Sequence, residues 1–201
     1  RENQIMEKYF KNTLHNSAYI WPEEKLSIAR NHLLQEKNYD SAVSICLLKQ
    51  FVADKDLESQ MPFLPGCRSD SGKSVAIIGS GPAGLSAAYF LAREGYPVTV
   101  FEKLPVAGGM MAVGIPEYRL PKKVLDFEIQ EILDLGVEVS CGVEFGKDFK
   151  LADLEQEYEA VLLAMGAWDN SSLRCDGEDL EGVWKGTEFL QKRELGISVD
   201  L

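Results

Sequence analysis

SVAIIGSGPAGLSAAYFLAREGYPVTVFE, residues 74–102, reads as strand, tight turn, helix and second strand. Val75-Ala76-Ile77-Ile78 is a short continuous apolar run, the pattern of a parallel strand buried on both faces. Leu85 to Glu94 is an Ala-rich helix, and Val98 to Phe101 is a second buried strand. Strand, helix and strand within so short a stretch make a βαβ unit of Rossmann type. Between the first strand and its helix lies Gly79-Ser80-Gly81-Pro82-Ala83-Gly84, a G-x-G-x-x-G turn. Gly79 permits the sharp turn, Gly81 lets a pyrophosphate approach the backbone, and Gly84 lets helix and strand pack closely. The phosphates of such a ligand face the helix N-terminus, where free N–H groups and the dipole favour negative charge. Pro82 and Ala83 complete the expected contact surface.

A glycine hexad alone is weak evidence, but the second strand ends in Glu102, at about the 20-residue spacing of the dinucleotide fingerprint. A carboxylate there is expected to accept hydrogen bonds from both hydroxyls of an adenosine ribose and to repel a 2′-phosphate. Lys103 follows it. The next segment separates FAD from NAD. It runs from Pro105-Val106-Ala107-Gly108-Gly109-Met110-Met111 through Gly114-Ile115-Pro116-Glu117-Tyr118-Arg119-Leu120-Pro121. A Gly pair lets backbone pass close to a bulky ligand, and Arg119 offers a planar cation to phosphates, or else forms a surface ion pair. A simple NAD-binding domain does not require this segment, so FAD is the expected ligand. Tyr118 is expected to pack rather than to react.

Upstream, residues 1–60 read as a small helical module. Ile5, Tyr9 and Phe10 share a helical face. Pro22 with Glu23 and Glu24 marks a helix start. Tyr39 to Ala53 forms a further helix with Asp40 or Ser41 as its N-cap. Residues 61–73 hold Pro62, Pro65, Gly66 and Gly72 and read as a linker, leaving 74–201 as the cofactor-binding domain. Beyond the βαβ unit we expect a helix over Lys122–Leu135, a strand at Val137–Val139, an acidic helix from Leu151, a buried strand over Ala160–Ala164 and a last helix over Thr187–Glu194.

The chain has 201 residues, 45% hydrophobic and 26% charged, with a net charge of −11. That charge argues against a nucleic-acid partner, whose phosphates select Lys/Arg-rich faces. No run of about 18 apolar residues predicts a membrane span, and no signal peptide is visible at the N-terminus. Cys46, Cys67, Cys141 and Cys175 are scattered without a C-x-x-C pair, as in a reduced cytoplasmic protein without a metal site. No side chain stands out as a general acid or base, and His15 and His32 lie in the helical module.

Three stretches in order carry a resemblance: residues 74–102; GGMMAVGIPEYRLPKKVLDFEI (108–129); and AMGAWDNSSLRCDGEDLEGVWKGTEFL (164–190). Together they resemble the small-subunit family of NADPH-dependent glutamate synthase, to which the flavin part of dihydropyrimidine dehydrogenase is related. SAVSICLLKQFVADK (41–55) is similar to the helix preceding the flavin domain in that family. The resemblance implies an α/β fold: a Rossmann-type, glutathione-reductase-like FAD-binding domain with an N-terminal helical module. It also implies that hydride passes from NAD(P)H to flavin and that electrons pass onward to an iron–sulfur or protein acceptor. By resemblance, Gly79, Gly81 and Gly84 hold the pyrophosphate and Glu102 the ribose. Gly108, Gly109 and Met110 lie along the ribityl chain and ring, Arg119 near the phosphates, and Val143 beside the adenine. Ala164, Met165 and Gly166 occupy the family's Ala-Thr-Gly turn, with Met165 lacking the Thr hydroxyl. The family's N-terminal module holds iron–sulfur clusters, but residues 1–72 contain only Cys46 and Cys67, too few for a [4Fe–4S] site. The family continues after the position of Leu201 with an NAD(P)H domain and a returning flavin segment; the partner expected is that remainder of the protein or a larger catalytic or iron–sulfur subunit. The alternative from a different class is a non-catalytic flavin-binding subunit or scaffold with a helical docking module.

Overall fold

All four residues of β1 (Val75–Ile78) are buried, and they alternate between two cores. Val75 and Ile77 pack with Ala88 and Ala92 of α2 (Pro82–Arg93) on one face. Ala76 and Ile78 pack on the other face with Leu154 of α5 (Leu151–Glu157) and with Phe101, Phe149 and Tyr158. A strand covered on both faces has no polar side to show, which is why its sequence is apolar without alternation. The computed structural model describes residues 44–59 and 63–199.

The sheet is wholly parallel, with strand order β3 (Glu138–Cys141), β2 (Val98–Glu102), β1 and β4 (Ala160–Leu163). β2 (Val98–Glu102) pairs with β1 in the register Val75↔Val98 to Ile78↔Phe101, and β3 (Glu138–Cys141) continues it with Thr99↔Glu138 to Glu102↔Cys141. β4 (Ala160–Leu163) lies on the other side of β1, in the register Val75↔Ala160 to Ile78↔Leu163. The chain reverses direction of winding at β1, so the C-terminal ends of β1, β2 and β4 open onto one crevice. This is the place where open α/β sheets bind ligands.

A third core closes the crevice side. Leu85 of α2 and Leu104 meet Ala112 and Val113 of α3 (Met110–Val113) and Leu125 and Ile129 of α4 (Lys122–Asp134). The short helix α3 carries too few residues for a periodic signal and was not expected from the sequence. Leu195, at the end of α6 (Gly186–Glu194), packs against the same core.

The strand over Ala160–Ala164 was expected to be buried, and the structure corrects this. β4 is the sheet edge among the described residues; Leu162 and Leu163 are exposed, Leu163 at 52%. An apolar run reports a strand, whereas burial depends on which layers cover it. β3 likewise begins one residue later than expected, at Glu138, with Val137 buried just before it.

The chain divides into two compact units, Arg1–Pro65 and Gly66–Leu201. Within the first, α1 (Ile45–Leu57) has Ser44 at its N-cap position and extends past the Ala53 expected as its end. The proposed caps Asp40 and Ser41, the helix starting near Pro22, and His15 and His32 lie outside the described residues. Within the second, the stretch from Gly66 onward is tied to the end of α2. Arg68 N–H donates to the Arg93 carbonyl, Ser71 N–H donates to the Gly95 carbonyl, and Arg68 pairs with Glu94. No helix among the described residues is long and apolar enough to cross a membrane.

Ile77, fully buried at the sheet centre, and Leu163, on the open edge, separate core from margin. We expect Ile77→Ala to cost about 2–5 kcal/mol in denaturant unfolding, and Leu163→Ala to cost less than about 0.5 kcal/mol.

Candidate functional site

The turn after β1 answers separately for each of its glycines. Gly79 has φ +104, and a Cβ there would lie 2.5 Å from the Ala164 carbonyl oxygen at the end of β4. At Gly84 a Cβ would lie 1.9 Å from the Gly79 oxygen and 3.3 Å from Ile77 Cγ2, so helix and strand could not close. Those two glycines are demanded by the protein's own backbone. Gly81 is not. Its φ of −71 suits any residue, and a Cβ there would meet nothing within 4 Å among the described residues. The space above Gly81 is therefore open, and an incoming group can reach the backbone there.

Gly81 is also the N-cap of α2, and it supplies no side-chain acceptor. The first N–H groups of a helix have no partner within it. In this helix no acidic residue occupies the first turn. Pro82 and Ala83 are exposed beside the turn. The result is an uncapped helix start facing open space, with the polarity that suits an anion.

Glu102, at the end of β2, is only 4% exposed. Its Oε2 accepts from the Ser80 backbone N–H at 2.9 Å and from the Ser80 hydroxyl at 2.6 Å; its Oε1 accepts from the Leu104 N–H at 2.8 Å. A carboxylate offers about four acceptor positions, so among the described residues one position, on Oε1, has no protein donor. The sequence led us to expect this group at an adenosine ribose; among the described residues it is held by three protein donors. Ser80, fully buried, was missed by sequence reasoning because it occupies a wildcard position of the motif.

Gly108 and Gly109 are buried against the same turn. The Gly108 N–H donates to the Ser80 carbonyl at 3.1 Å and to the Ser80 hydroxyl oxygen at 3.2 Å. A Cβ on Gly109, which has φ +55, would lie 2.8 Å from the Gly81 Cα. The Gly pair thus first serves the close approach of two backbone segments. Met110 opens α3, and its side chain lies over Gly114, where a Cβ would come within 2.3 Å of Met110 Cε. Lys122 holds this segment in place: its Nζ donates to the carbonyls of Ala112 (2.6 Å) and Ile115 (2.9 Å) and pairs with Glu194 of α6 at 3.0 Å.

The remaining expected residues divide into two groups. Val143 lies by the end of β2, its N–H donating to the Glu102 carbonyl at 3.0 Å. Ala164 N–H donates to the Ile78 carbonyl at 2.8 Å, which brings the Ala164-Met165-Gly166 turn beside Gly79. The Trp168 indole N–H caps that turn by donating to the Met165 carbonyl at 2.7 Å, and Lys103 Nζ stands 5.7 Å from the Trp168 ring centroid. The glycine turn, Glu102, Lys103, Gly108, Gly109, Val143 and the 164–166 turn therefore meet at one end of the sheet. Arg119 is exposed, and among the described residues its guanidinium forms no ion pair and has no contact that joins it to this set. No cluster of His, Cys, Asp and Glu suited to a metal occurs among the described residues.

Cys141 lies opposite Glu102 in the β2–β3 register. Desolvation of the thiol, and after it the Glu102 charge, push its pKa above the ordinary thiol value. Glu102→Gln removes the second cause, so the pKa should fall and alkylation of Cys141 at fixed pH should speed up, as read by peptide mass spectrometry. Glu102→Ala should destabilise the protein even without ligand, by about 1–3 kcal/mol in thermal or denaturant unfolding, because the Ser80 and Leu104 N–H groups lose their buried acceptor.

The family model for pyridine nucleotide-disulphide oxidoreductases matches residues 73–198. The chain is 42% identical over 181 residues to the NADP(+)-dependent formate dehydrogenase subunit beta of Moorella thermoacetica, covering 79% of this chain and 26% of that one. It is 39% identical to the NAD-dependent dihydropyrimidine dehydrogenase subunit PreT of Salmonella typhimurium, over 87% of this chain and 41% of that one. It is also 39% identical to the glutamate synthase [NADPH] small chain of Halomonas elongata, over 74% of this chain and 32% of that one. The chain thus spans between about a quarter and two fifths of the length of these curated relatives.

Proposed function

The chain belongs to the pyridine nucleotide-disulphide oxidoreductase family, and from that premise we propose that it is the FAD-binding part of an NAD(P)H-dependent electron-transfer oxidoreductase. The observation that carries the proposal is the unfilled position at Gly81. Of the three motif glycines, only this one has no reason in the protein's own packing, and it stands at an uncapped helix start.

The residues present fit the cofactor. Gly81 and the first-turn N–H groups of α2 would hold the pyrophosphate, and the open position on Glu102 Oε1 would accept from the adenosine ribose. The same carboxylate repels a 2′-phosphate, which suits FAD at this site and leaves NADP to another. The backbone at Gly108 and Gly109, held by Ser80, would line the path toward the flavin, with the Ala164-Met165-Gly166 turn opposite. Arg119, whose guanidinium forms no ion pair among the described residues, stands outside this set and would have to move to reach the phosphates. A bound flavin would supply the redox chemistry, the exchange of hydride with a nicotinamide and of single electrons with an acceptor. The chain's own part is to bind and orient, and the site described contains no acid–base pair that would do more.

The three relatives act in formate, dihydropyrimidine and glutamate systems by name, and they are named with NADP(+), NAD and NADPH. What they share is nicotinamide-linked redox chemistry, so the proposal places this chain at the entry of electrons, ahead of an iron–sulfur or protein acceptor on a larger partner. Each is named as a subunit or chain, which supports a partner of that kind. The described cysteines are all free and exposed, in keeping with a cytoplasmic location.

Purified protein incubated with FAD should acquire a bound flavin absorbance spectrum, and Gly81→Val should abolish it while circular dichroism stays unchanged. A folded wild-type chain that takes up no FAD at near-millimolar ligand would overturn the proposal.

A further inference from the structure

Ser80 is fully buried, and every bond its hydroxyl makes is fixed in direction. An ionised carboxylate only accepts and a backbone N–H only donates. The hydroxyl proton must therefore point to Glu102 Oε2, 2.6 Å away, and the hydroxyl oxygen must accept from Gly108 N–H at 3.2 Å. With its proton committed, Ser80 has nothing to give a ligand. Its two partners are nevertheless the carboxylate expected at the ribose and the loop expected along the flavin. The Ser80 N–H adds a second bond to the same Oε2 at 2.9 Å, which fills that oxygen and leaves the vacancy on Oε1.

We infer that Ser80 is a positioning residue that sets adenosine-ribose recognition, by saturating Glu102 Oε2 so that Oε1 alone receives one ribose hydroxyl. The inference rests on the FAD proposal above and deepens it. Without the hydroxyl the carboxylate keeps one bond to each oxygen, from the Ser80 and Leu104 N–H groups, and loses the third that saturates Oε2. Oε2 then regains an acceptor position, and the single directed vacancy is lost. The cost of losing Ser80 falls on the ribose contact and leaves the pyrophosphate contact at Gly81 intact.

The experiment compares FAD with a flavin dinucleotide whose adenosine is replaced by 2′,3′-dideoxyadenosine, both titrated into the full chain by flavin fluorescence. Wild type should prefer FAD by about tenfold or more, the scale of one hydrogen bond to a charged group. Ser80→Ala should reduce that preference to about two- to threefold, with affinity for the dideoxy ligand held within about twofold. In a Glu102→Gln background, Ser80→Ala should change the preference no further. A general loosening of the turn would weaken both ligands equally and leave the ratio unchanged, so an unchanged ratio in Ser80→Ala overturns the inference even if that variant melts early. Additive effects of the two substitutions overturn it as well. A wild type that binds FAD but shows no preference overturns this inference alone, whereas one that binds neither ligand removes the FAD proposal together with it.

Discussion

The buried carboxylate of Glu102 locks together parts of the chain that the strand pairing has brought side by side. It ends β2, bonds to the turn after β1 through Ser80, and bonds to the start of the next loop through Leu104. Through Ser80 it also reaches Gly108, and so the segment that leads into α3. An ionised group at this depth is tolerable only when hydrogen bonds replace most of its lost hydration. Those three bonds come from two residues, Ser80 and Leu104, and they help fix the relative placement of the strand end, the glycine turn and the Gly pair. Strand order sets where the crevice lies, and these bonds help hold its walls in place.

Glycines in the crevice serve two different ends. Gly79, Gly84 and Gly109 are required because backbone from one segment presses on backbone from another. Gly81 faces open space and has an ordinary φ. A motif counts these residues alike, since each is written as the same letter. Only coordinates separate those the fold needs from the one it leaves free for something outside itself.

Much of the fold was legible in residues 74–102 because each signal there had a single physical cause. Buried parallel strands are apolar throughout, a helix start follows a glycine turn, and an acidic residue closes the second strand. β1, α2 and β2 lie where those signals place them, with the helix starting earlier, at Pro82. The exposure of β4 was not legible, because an apolar run states what a strand could bury and is silent on what covers it. Ser80 was hidden by the motif itself, whose second position admits any small residue. The short helix α3 lacked the length for a period. Close approach was read from the Gly pair in terms of a ligand; in the fold Gly109 is pressed against Gly81, and Gly108 against the Ala112 and Leu125 side chains.

β4 has a consequence for how the molecule behaves in bulk solution. Its outer rim, with Leu162 and Leu163 exposed, presents unpaired backbone groups among the described residues, and such an edge is a template for pairing with another strand. A net charge of −11 opposes the encounter of two copies, and salt weakens that repulsion. Colloidal stability of the isolated chain is therefore governed by ionic strength, with the low-salt buffers that preserve mutual repulsion keeping the rim apart from its own kind.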